Sequence, residues 1–280
     1  MGIEAGYDGR VVIAVATVVM MLVVLPLEKR YPIRAAWNRN DGQILNDIGH
    51  SLAGCQLGAW AGAGLIGVAA SGVAADLSVW LGHALWPARW PLALQVMLAL
   101  MVGELGGYWQ HRLSHHIPLV WRFHSLHHST DRMMLLKSGR FHFLDFMTYT
   151  AMIHLPAVLA GAPAQVFLWL GATINFIGIV QHANVRMTTP GWLNRVIATP
   201  AVHMLHHARD VRAGGDANFG TNVMIFDLLF GTFMAPTEPI PPPVGIENDP
   251  VPRGLWAQLL APLGLMRVPG PAIAVPPRGD

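Results

Sequence analysis

A single cysteine, Cys55, stands among 280 residues, so no intrachain disulfide can form and no site built on several thiolates can exist. Charge is also scarce: Asp, Glu, Lys and Arg make up 12% of the chain, against about 25% in a soluble domain. With 53% hydrophobic residues and a mean hydropathy of +0.41, this shortage excludes an ordinary soluble enzyme and a largely disordered chain. The 18 Lys and Arg residues nearly balance the 16 Asp and Glu and are dispersed, which excludes a nucleic-acid partner. There is no GxGxxG fingerprint for a dinucleotide and no CxxCH haem attachment, so redox chemistry here would draw its electrons from a separate protein. No repeat of fixed period stands out.

What the chain does have is long apolar runs. Residues 11–27 carry no charge and are followed at once by Glu28, Lys29 and Arg30, which reads as a membrane helix ending at an interface. A cleaved signal peptide is disfavoured, because Glu4, Asp8 and Arg10 do not make a basic start and no small-x-small site follows. Further uncharged runs cover residues 51–75, 91–110 with Glu104 inside, 146–160 and 164–181. The last pair, split by Gly161-Ala162-Pro163, either crosses as a hairpin or re-enters, since 15 residues rising 1.5 Å each fall short of a hydrocarbon core of about 30 Å. Of the 18 basic residues, 16 follow the first, third and fifth spans, and Arg10 and Arg89 lie on the other side. The positive-inside rule then places residues 28–50, 111–145 and 182–280 in the cytoplasm. Residues 77–91, with three Trp and two Pro, read as a segment in the outer interface, and the Pro-rich stretches 239–243 and 269–277 as a loosely ordered tail.

Histidine is abundant, at 14 residues, and it is clustered. His111 and His115 form an HxxxH pair with His116 appended, and spacing of i and i+4 stacks two imidazoles on one helical face. His124, His127 and His128 form HxxHH, which His203, His206 and His207 repeat, and that spacing again gathers three rings on one face. One such motif is as readily surface polarity as a ligand set. Three within 97 residues, on facing helices, would repel one another without a metal. The eight clustered imidazoles exceed what one ion takes, so the count points to two ions. Imidazole suits iron, zinc, copper and nickel alike, so ligand type does not choose among them. His50, His83 and His154 lack a histidine neighbour at helical spacing and read as structural, and His116 points off the shared face. Glu104 suits either orienting a ligand imidazole or helix packing.

HRLSH at 111–115, WRFHSLHHS at 121–129, HMLHH at 203–207, DANFG at 216–220 and FDLLFGTF at 226–233 resemble the fatty acid hydroxylase and sterol desaturase superfamily, integral-membrane non-haem di-iron enzymes. The likeness covers about residues 95–235 and leaves out the first span and the tail. It implies two further ligands: His142, followed three residues later by Asp145, and His182, two residues before Asn184. The earlier member of an HxxxH intermediate box falls at Gly178, which sets the chain apart from the fatty-acid subgroup. The resemblance also implies two iron ions, replaceable by zinc in a recombinant preparation, and use of O2 with a ferredoxin- or cytochrome-type donor and its reductase.

The expected architecture is an all-α integral-membrane bundle of four or five transmembrane helices with a cytoplasmic histidine-rich helical cap. Residues 1–90 would form membrane anchors and an interfacial segment, 91–235 the di-iron domain and 236–280 a Pro-rich tail. The expected function is O2-dependent hydroxylation or desaturation of a sterol, hopanoid, carotenoid or acyl lipid in a bacterial inner membrane. His111, His115, His124, His127, His128, His203, His206 and His207 would be the catalytic metal ligands, joined by His142 and His182. Arg132, Lys137, Arg209 and Arg212 offer a docking surface for an acidic electron carrier. A histidine-rich metal transporter is the alternative; it would need ionisable groups strung through the spans, where His154 is the clearest one. A catalytically dead scaffold finds no support, since all three boxes are intact.

Overall fold

The computed structural model describes residues 8–238 and 240–264. Among them there is no strand, only the isolated bridges Ile197 to Val223 and Ala208 to Val244. Helix α1 (Gly9–Arg30) opens on Asp8, whose carboxylate accepts from Arg10 N, and closes with Lys29 and Arg30 in its last turn, where cations suit the helix dipole. After a short 3-10 turn come α2 (Ile44–His50), a π-helical stretch (Ser51–Gln56) and α3 (Leu57–Leu81), a continuous 38-residue run. At 1.5 Å per residue this run is about 57 Å long, so it extends well beyond the hydrocarbon core. It continues to Leu81, six residues past the expected span end, and takes in the start of the segment read as interfacial. Trp86 of that segment is buried and donates to Gln95 at 2.8 Å.

Helix α4 (Leu92–His116) leads through Ile117 directly into α5 (Pro118–His128), because Pro118 suits the first turn of a helix and disfavours α conformation in the residue before it. Helix α6 (Phe143–Leu159) and α7 (Ala164–His182) follow, joined through Gly161 at φ +81°. Four segments are long and apolar enough to cross a membrane: α1, the α2–α3 run, α4 and α7. The shorter α6, at 17 residues, packs between α3 and α4. The close fit comes from glycine. Gly54, Gly58 and Gly62 lay the α3 side against α6, and Gly103 and Gly106 lay α4 against it, in each case where a Cβ would meet an α6 or neighbouring carbonyl.

The remaining helices, α8 (Pro200–His206), α9 (Ile225–Phe230) and α10 (Leu255–Leu260), lie in the segment after α7. Part of the region expected to be a loose tail folds back. Gln258 bonds His50 at 2.9 Å, Arg253 donates to Asp41 O, and Leu259 O lies 3.1 Å from His142 Nε2. The Pro-rich stretch 269–277 lies outside the described residues. Of the basic residues expected to form the docking surface, one is committed inside and a second is held in ion pairs while still partly exposed. Lys137 is buried and bonds Asp41 and Asp47 at 2.7 and 2.6 Å, and Arg132 pairs with Asp131 and Asp41. Arg209 and Arg212 are exposed.

Candidate metal centre

Nine of the ten expected ligands converge, in two groups. His111, His115, His124, His128 and His206 form one; His127, His182, His203 and His207 form the other; within each, the candidate ligand atoms lie within 4.8 Å of one another. The groups abut, with the His128 and His207 rings stacked at 4.3 Å. All nine side chains belong to residues at most 4% exposed, so water does not compete for them.

For four of the nine rings, what holds one nitrogen decides which nitrogen faces inward. His111 Nδ1 lies 2.7 Å from Phe219 O and His206 Nδ1 2.8 Å from Ala217 O. His182 Nδ1 lies 2.8 Å from Gly178 O, and His124 Nδ1 2.8 Å from Asp145 Oδ2. Carbonyl and carboxylate oxygens only accept, so each Nδ1 donates and each Nε2 is left with its lone pair. Nε2 of His111, His124 and His206 is buried with no hydrogen-bond partner, an arrangement that is costly unless something else binds it. Elsewhere Nε2 atoms face each other: His115 to His128 at 3.2 Å, His127 to His182 at 3.4 Å, and His203 to His182 and to His207 at 3.2 Å. Metal–nitrogen bonds of about 2.1 Å spread at tetrahedral to octahedral angles set neighbouring nitrogens about 3.0–3.4 Å apart. The spacing therefore fits an ion within each group.

Burial, reinforced by neighbouring imidazoles, holds His127, His128, His203 and His207 well below the ordinary histidine range. Burial takes His206 to about 3 even though its bond to Ala217 O opposes the shift. Neutral rings are the ligating form.

His142, expected as a ligand, is in neither group. Its Nδ1 accepts from Leu144 N at 3.1 Å, capping α6, and its Nε2 faces Leu259 O. The acidic residue of that pair is the one that reaches the site: Asp145 holds His124, and Gln110 donates to the same carboxylate at 3.1 Å. His50 and His154 are structural, the latter with Nδ1 on Thr150 O and its ring stacked on Phe167. His116 bonds Arg112 O and faces Asp216 at 3.6 Å.

The loop 217–222, which supplies the carbonyls for His111 and His206, is itself held by two buried carboxylates. Glu104 accepts from Thr221 N and Asn222 N at 2.6 and 2.9 Å, so its role is to brace the loop and it touches no histidine. Asp227 accepts from Phe219 N and Gly220 N at 2.8 and 2.6 Å. A third carboxylate ties the other group to the first helix. Glu28, 2% exposed, accepts from Leu135 N and from Asn184 N, two residues beyond His182. Sequence spacing gave no sign of this contact, because 107 and 156 residues separate the partners.

The fatty acid hydroxylase family profile matches residues 96–232. An ornithine lipid hydroxylase, OlsE of Rhizobium tropici, is 40% identical over 243 residues, covering 86% of this chain and 72% of the relative. Human alkylglycerol monooxygenase is 28% identical over 165 residues, and a Delta(7)-sterol 5(6)-desaturase of Gibberella zeae 28% over 152. The chain covers 36% and 45% of those two proteins, which are thus much longer than the shared region. No solved structure matches. With its histidine groups, its apolar helices and these relatives, the chain belongs to the fatty acid hydroxylase and sterol desaturase superfamily of membrane lipid oxygenases.

Proposed function

We propose that this protein hydroxylates a polar membrane lipid of the ornithine-lipid type, using O2 and electrons from a separate acidic carrier protein with its reductase. The observation that carries the reading is the set of nine buried imidazoles in two groups, the candidate ligand atoms of each within 4.8 Å of one another and Nε2 pairs in both groups 3.2 Å apart. His111, His115, His124, His128 and His206 would hold one iron ion, and His127, His182, His203 and His207 the other. Iron bound there supplies the O2 chemistry that no side chain offers.

The chain's own residues do the rest. Phe219 O, Ala217 O and Gly178 O fix ring orientation, and the Asp145 carboxylate orients His124 through its Nδ1. Burial of both groups excludes water, which protects an oxidising site from side reactions. Hydroxylation is favoured over desaturation because a relative that shares 72% of its length with this chain at 40% identity is a hydroxylase. The histidine-bearing end would face the cytoplasm of a bacterial inner membrane, in accord with the 16 basic residues on that side. No observation favours metal transport. His154 is bonded to the carbonyl one turn before it, and Glu104 is engaged with the 217–222 loop, so neither continues a path of ionisable groups.

Purified chain reconstituted with iron, a ferredoxin system and an ornithine-containing lipid under isotopically labelled O2 tests this directly. The expected result is about two irons per chain and one labelled oxygen in the lipid. Iron-loaded protein that leaves the lipid unlabelled, while another lipid class becomes labelled, would overturn the substrate assignment.

A further inference from the structure

The exposed apolar residues of α4 recur every three or four positions, at Leu94, Met97, Met101, Leu105, Trp109 and Leu113, which is one lipid-facing stripe of a helix long enough to cross a membrane. The stripe does not stop where α4 does. Phe230, at the end of α9, packs on Trp109 and on Tyr108, with ring centroids 5.2 Å apart in both cases. From there Ile225, Leu228, Leu229 and Phe230 continue an open apolar face, Leu229 being 69% exposed.

A second segment lies beside it. Met224 N donates to Val196 O and Ala198 N to Asn222 O, and Ile197 pairs with Val223. This places the exposed Trp192, Val196 and Ile197 next to α9. The one charged residue between Ala217 and Phe233 is Asp227, which is fully buried and turned toward the 217–222 loop. The charges that border the patch are Arg195, whose guanidinium lies 5.4 Å over the Phe233 ring, and Arg112, 5.4 Å over the Trp109 ring. An apolar face, a tryptophan and a stacked arginine at the margin together make up the composition of a headgroup–acyl boundary.

We propose that α9 and the 192–197 segment insert into the bilayer leaflet at the histidine-bearing end of α4. The partner is lipid: acyl chains against Ile225, Leu228, Leu229, Val196 and Ile197, and phosphate at Arg195. Continuity with the α4 stripe selects lipid over a second protein, because the same surface is already lipid-facing two turns earlier on α4. Residues 182–264 are then not an aqueous cap throughout. Phe230, Tyr108, Phe219 and His111 form a series of ring contacts of 5.2, 6.2 and 6.0 Å, so two side chains, Tyr108 and Phe219, separate the apolar face from the first histidine group. The inference depends on the chain being membrane-embedded and is independent of which lipid it oxidises.

Nitroxide labels at Leu229→Cys and Val196→Cys, each with Cys55→Ser, test it in vesicles of phosphatidylethanolamine and phosphatidylglycerol. Relaxation by O2, which concentrates among acyl chains, should exceed relaxation by a water-soluble nickel chelate severalfold at both sites, with the reverse at Arg212→Cys. Strong nickel relaxation at position 229 would overturn the insertion, and so would protection from both reagents, which marks a protein contact. A second measurement needs no variant. A phospholipid carrying a photoreactive diazirine in its acyl chain should form adducts within residues 192–197 and 225–230 of the native chain. Adducts confined to α1, α3 and α4 would overturn the proposal.

Discussion

His124 meets a carboxylate at Nδ1, whereas His111 and His206 meet backbone carbonyls. A carboxylate adds negative charge to the ring as well as orienting it, so the first group depends on Asp145 in a way the second does not. Asp145→Asn keeps an acceptor and removes the charge. It should weaken metal binding at the first group about tenfold or more, leaving the second group filled, as measured by metal retained per chain during chelator titration. His142→Ala should separate the family expectation from the observed placement. Metal content should stay unchanged, and the thermal midpoint should fall by the equivalent of about 1 kcal/mol for a lost helix cap. Loss of one metal in that variant would return His142 to the ligand set. The histidine identities were legible in the sequence. The Nδ1 partners of His206 and His111 were not, because carbonyls 11 and 108 residues away carry no sequence signature.

The HxxHH boxes show what a helix does with three rings. At 100° per residue, i and i+4 lie about 40° apart, while i+3 falls about 60° to the other side. His124 and His128 accordingly join one group and His127 the other; His203 and His207 join one and His206 the other. Each box serves both groups, which refines the expectation of three rings gathered on one face and accounts for the recurrence of the spacing. The scaffold under these boxes depends on close helix approach. The glycines at 54, 58 and 62 repeat at four-residue intervals, a small-residue pattern readable in the sequence once a packed partner is known. Gly62→Leu would push α3 off the Met147 carbonyl of α6 and should cost about 3 kcal/mol, read as a lower midpoint of thermal unfolding in micelles, with Gly64→Leu, which faces open space, as the unaffected control.

Over the whole molecule, burying so many imidazoles couples folding to pH. Folded His127, His128, His203 and His207 stay neutral well below the usual histidine range, and His206 down to about 3. The unfolded chain takes up protons on the same rings near pH 6.5. Below that value the unfolded state binds more protons, so stability rises with pH and is lost progressively as pH falls from about 6.5 toward 3. The chelator-treated chain should therefore unfold at a steadily lower temperature from pH 7.5 to pH 5, and a flat profile would contradict the buried, neutral arrangement. Glu28 adds the first helix to the same unit by pinning the chain after His182 and after α5, although α1 lies outside the matched residues 96–232.

The sequence by itself determined the solvent and the chemistry. Few charges and long apolar runs exclude water as the surroundings of most helices, and histidines at i and i+4 face one direction whatever the fold. Only the tertiary structure decided how the rings divide between two groups, that Asp145 and not His142 reaches them, that Lys137 is internal, and that the segment before residue 264 folds back on α2. Those outcomes depend on contacts between distant stretches of chain. Local spacing fixes the direction of a side chain, whereas the packing of other helices fixes what it meets.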